Sequence, residues 1–343
     1  MEAFAMIKEA IKKLSNKEDL TLEEAKQAMD EILTLEGGAT DAQISSFLSL
    51  LRMKGETIDE ITGCAITMKS KATHIKPKVS NYIDFVGTGG DSVNTFNITT
   101  TSVFVTAAAG VPIAKHGNRS ISSKSGSVDL LEALGINVDL TPEQVEQCVN
   151  ETGMGFMFAK TFHKTMKNAG KVRSEISIRT IFNILGPISN PSDAKRQVIG
   201  VFDKSLTNPL ANAMLEMGVE RGIVVNCEGI DEFTTIGVNS VSEIKDGIVM
   251  DYMLKPERFG FERAGIEDIR GGTAEENAAI TRAVLAGERG PKLDTVLLNA
   301  GAGIYIGGKA DTIFEGVDKA REIIESGAAL AKLNQMIEFT NQF

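Results

Sequence analysis

The chain has 343 residues, of which 42% are hydrophobic and 24% are charged, so it can bury a sizeable core in one large domain or two smaller ones. Its formal net charge of −10 disfavours nucleic acid and anionic membranes as partners. No apolar run reaches the roughly 18 residues of a membrane span, and the N-terminus lacks the apolar core of a signal peptide, so we expect a cytoplasmic protein. The three cysteines are widely spaced, which disfavours a zinc site or a disulfide framework.

The N-terminal part of the chain carries three helix start signals of the same kind. Thr21, Thr40 and Thr57 are each followed three residues later by Glu or Gln, which is the pattern of a capping box. Gly37–Gly38 and Gly55 stand where helix C-terminal caps are expected. The pattern therefore predicts a small helical domain at the start of the chain.

Strand and helix patterns alternate after Pro77. Strands are predicted at residues 82–86, 111–114, 198–202 and 222–226, and helices at 99–109, at 208–217 and from 273 onward. Short strands are predicted between 235 and 251, with turns at Asn239 and at Asp246–Gly247. This alternation predicts an α/β domain with a mainly parallel central sheet over residues 77–343, after an all-helical domain over residues 1–76.

A glycine loop follows the first predicted strand. The segment 84–91 reads DFVGTGGD, and the chain then enters a helix through Thr95, Asn97, Thr99 and Thr100. Glycines let the backbone approach a phosphate closely, and the amides of a helix start favour an anion. The spacing is neither that of a dinucleotide fingerprint nor that of a P-loop. A purely structural turn with an N-cap is the alternative.

A second loop follows the next predicted strand and is rich in cations and hydroxyls. Residues 115–129 read KHGNRSISSKSGSVD. Lys115 and Arg119 supply charge, while the serines and backbone amides supply directed hydrogen bonds. Since ligands of open α/β sheets bind beyond the carboxyl ends of the strands, both loops are predicted to meet at one polyanion site. A solvated basic loop is the alternative.

Two further segments suit a metal ion and a carboxylate. Asp231 and Glu232 follow a predicted strand, and Mg²⁺ takes one or two protein carboxylates together with substrate phosphates. An ordinary acidic surface loop is the alternative. Arg173 and Arg179 follow His163, and an arginine is the natural partner of a carboxylate, although the sequence alone does not say which of the two faces a ligand.

Together these segments resemble the anthranilate phosphoribosyltransferase family. The matching motifs occur in the family's order as GTGGD at 87–91, KHGNR at 115–119, RTIFNILGP at 179–187 and GIDE at 229–232. The resemblance runs from the helical N-terminus to Asn299. It implies transfer of the phosphoribosyl group of phosphoribosyl pyrophosphate (PRPP) to the amine of anthranilate in tryptophan biosynthesis, with Mg²⁺ as cofactor. It also implies a homodimer through the helical domain, which a helical insertion near 173–192 is expected to join.

The resemblance also implies a role for each matching residue. Catalysis is assigned to Lys115, Arg119, Asp231 and Glu232, and the metal to Thr99, Asp231 and Glu232. PRPP binding is assigned to Gly87, Gly90, Asp91, Thr95, Asn97, Ile98, Thr99, Thr100, Lys115, Asn118, Arg119, Ser120, Ile121, Ser122, Ser123 and Ser127. Anthranilate binding is assigned to Gly87, His116, Asn118, His163, Arg173 and Pro187.

The chain departs from the family pattern near the acceptor side. Lys160 and Lys164 replace the usual prolines around His163, and the segment 174–177, which ends in Ile176–Ser177, replaces one that usually ends in Leu-Gly. Two other functions share this architecture. A pyrimidine-nucleoside phosphorylase would lack the Asp231–Glu232 pair, and a non-catalytic nucleic-acid-binding relative would show a basic face.

Overall fold

The structure is a computed structural model that describes residues 6–90, 93–119 and 124–343, the side chain of Asn168 excepted. Four helices open the chain: α1 (Met6–Ser15), α2 (Leu22–Leu33), α3 (Asp41–Lys54) and α4 (Ile58–Ser70). Capping boxes at Thr21, Thr40 and Thr57 start α2, α3 and α4, as predicted. Gly55 caps α3 through its amide, which donates to the carbonyl of Leu51 at 2.9 Å.

The prediction that Gly37–Gly38 caps a helix is wrong. Helix α2 already ends at Thr34, which has an extended backbone and whose hydroxyl donates to the carbonyl of Asp30 at 2.8 Å. Gly38 instead lies against the end of this helix, where a Cβ would overlap the carbonyl oxygens of Glu31 and Thr34. Close backbone approach, rather than helix termination, is the reason for glycine there.

A seven-stranded sheet forms the centre of the second part of the chain, in the order β3-β2-β1-β4-β5-β6-β7. The strands β1 to β5 are parallel, and β6 and β7 add to β5 as an antiparallel hairpin. Their bounds are β1 (Ile83–Gly87), β2 (Ile113–Gly117), β3 (Met154–Phe158), β4 (Arg196–Gly200), β5 (Arg221–Cys227), β6 (Asn239–Lys245) and β7 (Ile248–Leu254).

The sheet corrects one sequence prediction and adds one strand. The turn at Asp246–Gly247 separates β6 from β7 as expected, but Asn239 is not a turn residue, because it starts β6. Its side chain is buried and satisfies the amide of Thr234 at 2.9 Å, which explains an asparagine at this strand start. Strand β3 was not predicted.

Helices cover both faces of the sheet, and two hydrophobic clusters hold the layers together. One cluster packs the sheet against its covering helices. The other joins the four N-terminal helices to α9, α10 and the opposite face of the sheet. The bounds are α5 (Ile98–Ala108), α6 (Ser127–Ala133), α7 (Pro142–Thr152), α8 (Ala159–Phe162), α9 (Lys167–Ile176), α10 (Phe182–Ile188), α11 (Thr207–Glu216), α12 (Ala274–Leu285), α13 (Pro291–Ile306), α14 (Ile313–Glu325) and α15 (Ala328–Thr340).

The parallel strands set the position of the functional residues. The carboxyl ends of β1, β2, β4 and β5 meet at one edge of the sheet, so the segments that follow them are brought together there. Within the described ranges, no helix is both long and apolar enough to cross a lipid bilayer.

Candidate active site

A buried pair of carboxylates, Asp231 and Glu232, lies directly beyond the end of β5. Asn299 of α13 holds the turn, since its amide group accepts from the amide of Phe233 at 3.1 Å and donates to the carbonyl of the same residue at 2.7 Å. A Cβ at Gly200, the last residue of β4, would overlap the backbone carbonyl of Asp231. A glycine at this strand end therefore lets the acidic turn lie against the sheet.

The glycine loop and the start of α5 bind this carboxylate pair. The amide of Gly89 donates to Oδ2 of Asp231 at 2.7 Å. The amide of Thr99 donates to Oε1 of Glu232 at 3.0 Å, and the Thr99 hydroxyl donates to the same oxygen. A Cβ at Gly87 would overlap the Asp231 carboxylate, so this position also requires glycine. The first and third predicted segments are thus one structural unit.

Burial and the neighbouring Asp231 carboxylate raise the pKa of Glu232 above its usual range. Two adjacent buried carboxylates repel each other, and a bound divalent cation would offset this electrostatic repulsion. The donors fit Mg²⁺, which takes one or two protein carboxylates and completes its shell with phosphate oxygens and water. Over the described part of the chain, no cluster of three or more His, Cys, Asp or Glu side chains could hold a metal ion by itself.

Lys115 approaches this centre from β2. It is 3% exposed, and its Nζ donates to the carbonyl of Phe85 at 2.5 Å. Burial lowers the pKa of Lys115, while the charges of Asp84, Glu232 and Asp231 raise it. The lysine therefore brings positive charge to the same strand edge as the acidic pair.

Asp84 is a buried acid that the sequence analysis left without a role. It is fully buried in β1, and its Oδ1 accepts from the amide of His116 at 3.2 Å. Burial raises the pKa of Asp84 to about 6, against the opposing effect of Lys115. The signal in the sequence was a single acid within an apolar strand, which is costly to bury without a function.

The two loops predicted to hold a polyanion touch each other through Asn97. Its side chain donates to the carbonyl of Ser125 at 3.1 Å and accepts from Asn277 of α12 at 2.8 Å. Ser127 starts α6, and its hydroxyl donates to the carbonyl of Asn118 at 3.2 Å. The predicted residues Ile98, Thr99 and Thr100 form the buried first turn of α5. Thr95 forms an isolated antiparallel β-bridge with Arg270. The other predicted residues lie outside the described part of the chain: Asp91, Ser120, Ile121, Ser122 and Ser123.

Arg119 is bound to the acidic face of α6. Its guanidinium forms two hydrogen bonds with Glu132, at 2.5 and 2.7 Å, and one with Asp129 at 3.1 Å. The side chain is 45% exposed. Contact with a ligand would require exchange of these partners, so the catalytic assignment of Arg119 stays a prediction.

Two buried histidines lie on the predicted acceptor side. The rings of His116 and His163 are 4.9 Å apart and tilted by 56°. Nε2 of His116 and both ring nitrogens of His163 are buried without a hydrogen-bond partner among the described residues. Burial lowers the pKa of His116 well below its usual value and that of His163 to about 4, so both rings are neutral at pH 7. Pro187 is buried within α10.

The structure separates the two arginines that the sequence left undecided. Arg173 lies on α9 with its guanidinium 5.2 Å from the ring of Phe182, and it forms no ion pair with a described residue. Arg179 instead donates to the carbonyl of Gly90 and lies 4.3 Å from the ring of Phe202. The two arginines therefore differ in their hydrogen bonds, because Arg179 is bound to the donor loop whereas the guanidinium of Arg173 donates to no described residue.

Comparison with known proteins assigns the family. The model described as the glycosyl transferase family helical bundle domain matches residues 8–72, and the one described as the a/b domain of that family matches residues 79–330. The anthranilate phosphoribosyltransferase of Acetivibrio thermocellus is 53% identical over 339 residues, which is 98% of either chain. The chain belongs to the anthranilate phosphoribosyltransferase family. A second member, from Alkaliphilus metalliredigens, is 50% identical over 98% of this chain and 99% of its own.

Solved structures of the family share the whole architecture. The crystal structure of anthranilate phosphoribosyltransferase from Thermus thermophilus has a TM-score of 0.91 and 41% identity, covering 97% of this chain and 99% of its own. The Saccharomyces cerevisiae enzyme in complex with PRPP and Mg has a TM-score of 0.89 and 27% identity, covering 99% of both chains. The predicted family and the predicted fold class, a helical domain beside an α/β domain with a mainly parallel sheet, are therefore confirmed.

Proposed function

We propose that this chain transfers the phosphoribosyl group of PRPP to the amine of anthranilate, giving N-(5-phosphoribosyl)anthranilate and pyrophosphate. The observation that carries the proposal is the buried Asp231–Glu232 pair bound by the glycine loop and the first turn of α5. Relatives named for this activity match the full chain at about half identity, and a yeast relative binds PRPP and Mg in the same fold.

The donor site works through positioning and charge. We assign the amides of the glycine loop and of the start of α5 to the phosphate groups, because a helix start favours an anion. Lys115, buried beside the acidic pair, offsets negative charge that grows on the departing pyrophosphate as the bond to C1 breaks. Asp231, Glu232 and Thr99 would hold Mg²⁺, which would further neutralise the charge of the pyrophosphate group.

The acceptor site needs no strong base. The aromatic amine of anthranilate is neutral at pH 7, so the site has to orient it toward C1 rather than deprotonate it first. We assign the anthranilate carboxylate to Arg173, whose guanidinium has no ion-pair partner among the described residues. The neutral rings of His116 and His163 line its path and can offer hydrogen bonds without adding charge.

We further propose a cytoplasmic homodimer that associates through residues 1–76. The division at residues 76 and 77 is part of this proposal, as is the association of the insertion near 173–192 with the helical domain. The association of the insertion with the helical domain is supported by packing, because α9 contacts α2 and α3 while α10 contacts α4. The hydrophobic cluster of the N-terminal helices also includes Val172 and Leu185.

Removal of both carboxylates tests the proposal. In Asp231→Asn combined with Glu232→Gln, the two charges are lost with little change in shape, so turnover is expected to fall by at least about a hundredfold. Pyrophosphate release is measured at saturating anthranilate over a series of Mg²⁺ concentrations. Glu228→Gln is the matched control, because Glu228 is exposed in the same turn and is expected to leave activity unchanged.

The outcome depends on how activity responds to magnesium. A double variant that recovers only at much higher Mg²⁺, or not at all, supports the assignment. A double variant with wild-type activity at limiting Mg²⁺ contradicts it, because the acidic pair would then hold no part of the donor complex.

A further inference from the structure

Arg179 lies in the short segment that joins the two helices of the acceptor side. Helix α9 ends at Ser177, which has a φ of 51° and whose amide donates to the carbonyl of Arg173 at 3.1 Å. Helix α10 is introduced by Thr180, whose amide donates to the side chain of Asn183 at 3.0 Å. Arg179 therefore stands between the helix that carries Arg173 and the helix that carries Pro187.

The side chain of Arg179 leaves this segment and binds the donor loop. Its Nη2 donates to the carbonyl of Gly90, and its Cζ lies 4.3 Å from the centre of the Phe202 ring. Gly90 has a φ of 82°, and a Cβ there would come within 3.1 Å of Arg179 Nη2. Glycine at this position thus permits both the backbone conformation and the close approach of the guanidinium.

Phe202, the aromatic partner of Arg179, follows β4 and is hydrogen-bonded to the glycine loop. The amide of Phe202 donates to the hydroxyl of Thr88 at 3.1 Å, and the amide of Thr88 donates to the carbonyl of Gly200 at 2.9 Å. The contacts of the guanidinium therefore come from the glycine loop and from the segment directly after β4.

Among the described residues, Arg179 has no ion-pair partner that would explain its position. Its side chain is exposed and forms no ion pair with any described residue. A guanidinium that stacks on a ring and donates to a carbonyl is a specific contact that lysine does not reproduce. The contact thus serves to join two segments rather than to neutralise a surface charge.

We propose that Arg179 is a positioning residue that couples the donor site to the acceptor site. Its contact with Gly90 ties the segment 177–181 to the glycine loop, so that the loop conformation set by PRPP determines where α9 and α10 place Arg173 and Pro187. This inference rests on the proposed function. It predicts that loss of Arg179 impairs anthranilate use in the PRPP complex more than it impairs PRPP binding.

The test compares Arg179→Ala and Arg179→Lys with a matched control, Arg258→Ala. Arg258 is also exposed and lies 5.3 Å from a phenylalanine ring, that of Phe314, outside the site. PRPP affinity is measured by calorimetry with Mg²⁺ and no anthranilate. Initial rates are then measured over a grid of both substrates, which gives kcat, each KM and the factor by which one substrate improves binding of the other.

In Arg179→Ala, the KM for anthranilate at saturating PRPP is expected to rise about ten- to a hundredfold, the range for loss of a charged hydrogen bond. The Kd for PRPP is expected to stay within about threefold of wild type. Arg179→Lys keeps the charge without the planar group, so its KM for anthranilate is expected to lie between those of the wild type and Arg179→Ala. Arg258→Ala is expected to match the wild type in every parameter.

Two results would overturn the inference while the wild type is active. One is an Arg179→Ala enzyme whose anthranilate KM and coupling factor equal those of the wild type. The other is an equal loss for PRPP and anthranilate together with a lower thermal midpoint, which identifies Arg179 as a brace of the fold. A wild type that does not consume anthranilate would overturn the proposed function first, and this inference with it.

Discussion

At the scale of single residues, we propose that Arg173 binds anthranilate and takes no part in PRPP binding. Its guanidinium lies on α9 near Phe182 and has no ion-pair partner among the described residues. In Arg173→Ala, kcat/KM for anthranilate is expected to fall about ten- to a hundredfold, because a charged hydrogen bond to the carboxylate is lost. Separate titrations of PRPP and anthranilate check this, and equal losses for both substrates would show that Arg173 only braces its helix.

Asp84 gives a residue-scale prediction for stability against pH. Burial raises its pKa from 3.8 to about 6 in the folded chain, so the folded state holds a proton that the unfolded state releases between these values. The stability that this protonation contributes is complete below pH 3.8 and is lost as the pH rises through about 6. Asp84→Asn does not titrate and keeps the oxygen that accepts from His116.

The unfolding free energy of the wild type, relative to that of Asp84→Asn, is therefore expected to fall by about 3 kcal/mol between pH 3.5 and pH 7. Chemical denaturation at several pH values measures this difference. Asp139→Asn, at an exposed position, is the control and is expected to show no such trend. A difference between wild type and Asp84→Asn that does not change with pH would contradict the assignment.

The site residues that could be predicted belong to local sequence patterns, whereas those that were missed depend on contacts distant in sequence. Asp231 and Glu232 could be found because a carboxylate pair after a strand is a local pattern with a known chemistry. Asp84 and Arg179 were not assigned because their roles depend on contacts with His116 and Gly90, which are distant in sequence. Such contacts become visible only when the sheet brings the strand ends together.

At the scale of helices and strands, the capping boxes are the clearest local signal. The hydroxyl of Thr40 accepts from the amide of Gln43 at 3.3 Å, and the amide of Thr40 donates to the Gln43 side chain at 2.9 Å. Thr40→Ala is expected to lower the unfolding free energy by about 1 kcal/mol, since amides at the start of α3 lose their partner. Thr40→Ser keeps the hydroxyl and serves as control in urea denaturation. Equal midpoints for all three proteins would contradict the prediction.

The strands were predicted unequally for reasons that the structure explains. Strands β1, β2, β4 and β5 are bounded by glycine or polar turns, which mark them in the sequence. Strand β3 (Met154–Phe158) is separated from α7 by a single glycine and runs directly into α8, so no turn marks its C-terminal end. Its pairing with β2 is a tertiary contact that local pattern does not encode.

At the scale of the whole molecule, the proposed dimer can be tested at an exposed apolar side chain of the helical domain. Met53 of α3 is 84% exposed, and an interface through the helical domain would cover it. We predict a dimer in sedimentation at micromolar concentration and a shift toward monomer in Met53→Asp. Met253→Asp, at a 58% exposed position on β7, is the control and is expected to remain dimeric. A wild-type monomer at micromolar concentration would contradict the proposal.

The two-part architecture follows from the change in sequence pattern after Pro77, from capped helices to alternating strands and helices. The packing of α9 and α10 against the N-terminal helices was expected only from the family resemblance, because that association depends on apolar residues far apart in the chain. This packing holds in place the two helices that carry Arg173 and Pro187, the residues that we propose for the acceptor side.

The measurement that tests the central claim most directly is the consumption of anthranilate by the wild-type chain. The chain has no tryptophan, so anthranilate fluorescence can be followed without interference from tryptophan emission. With PRPP and Mg²⁺ present, fluorescence is expected to fall as pyrophosphate is released in equal amount, and the reaction should stop when either PRPP or Mg²⁺ is withheld. Thymidine with phosphate, assayed in parallel, should not be cleaved. Phosphorolysis of thymidine without consumption of anthranilate would contradict the proposed function.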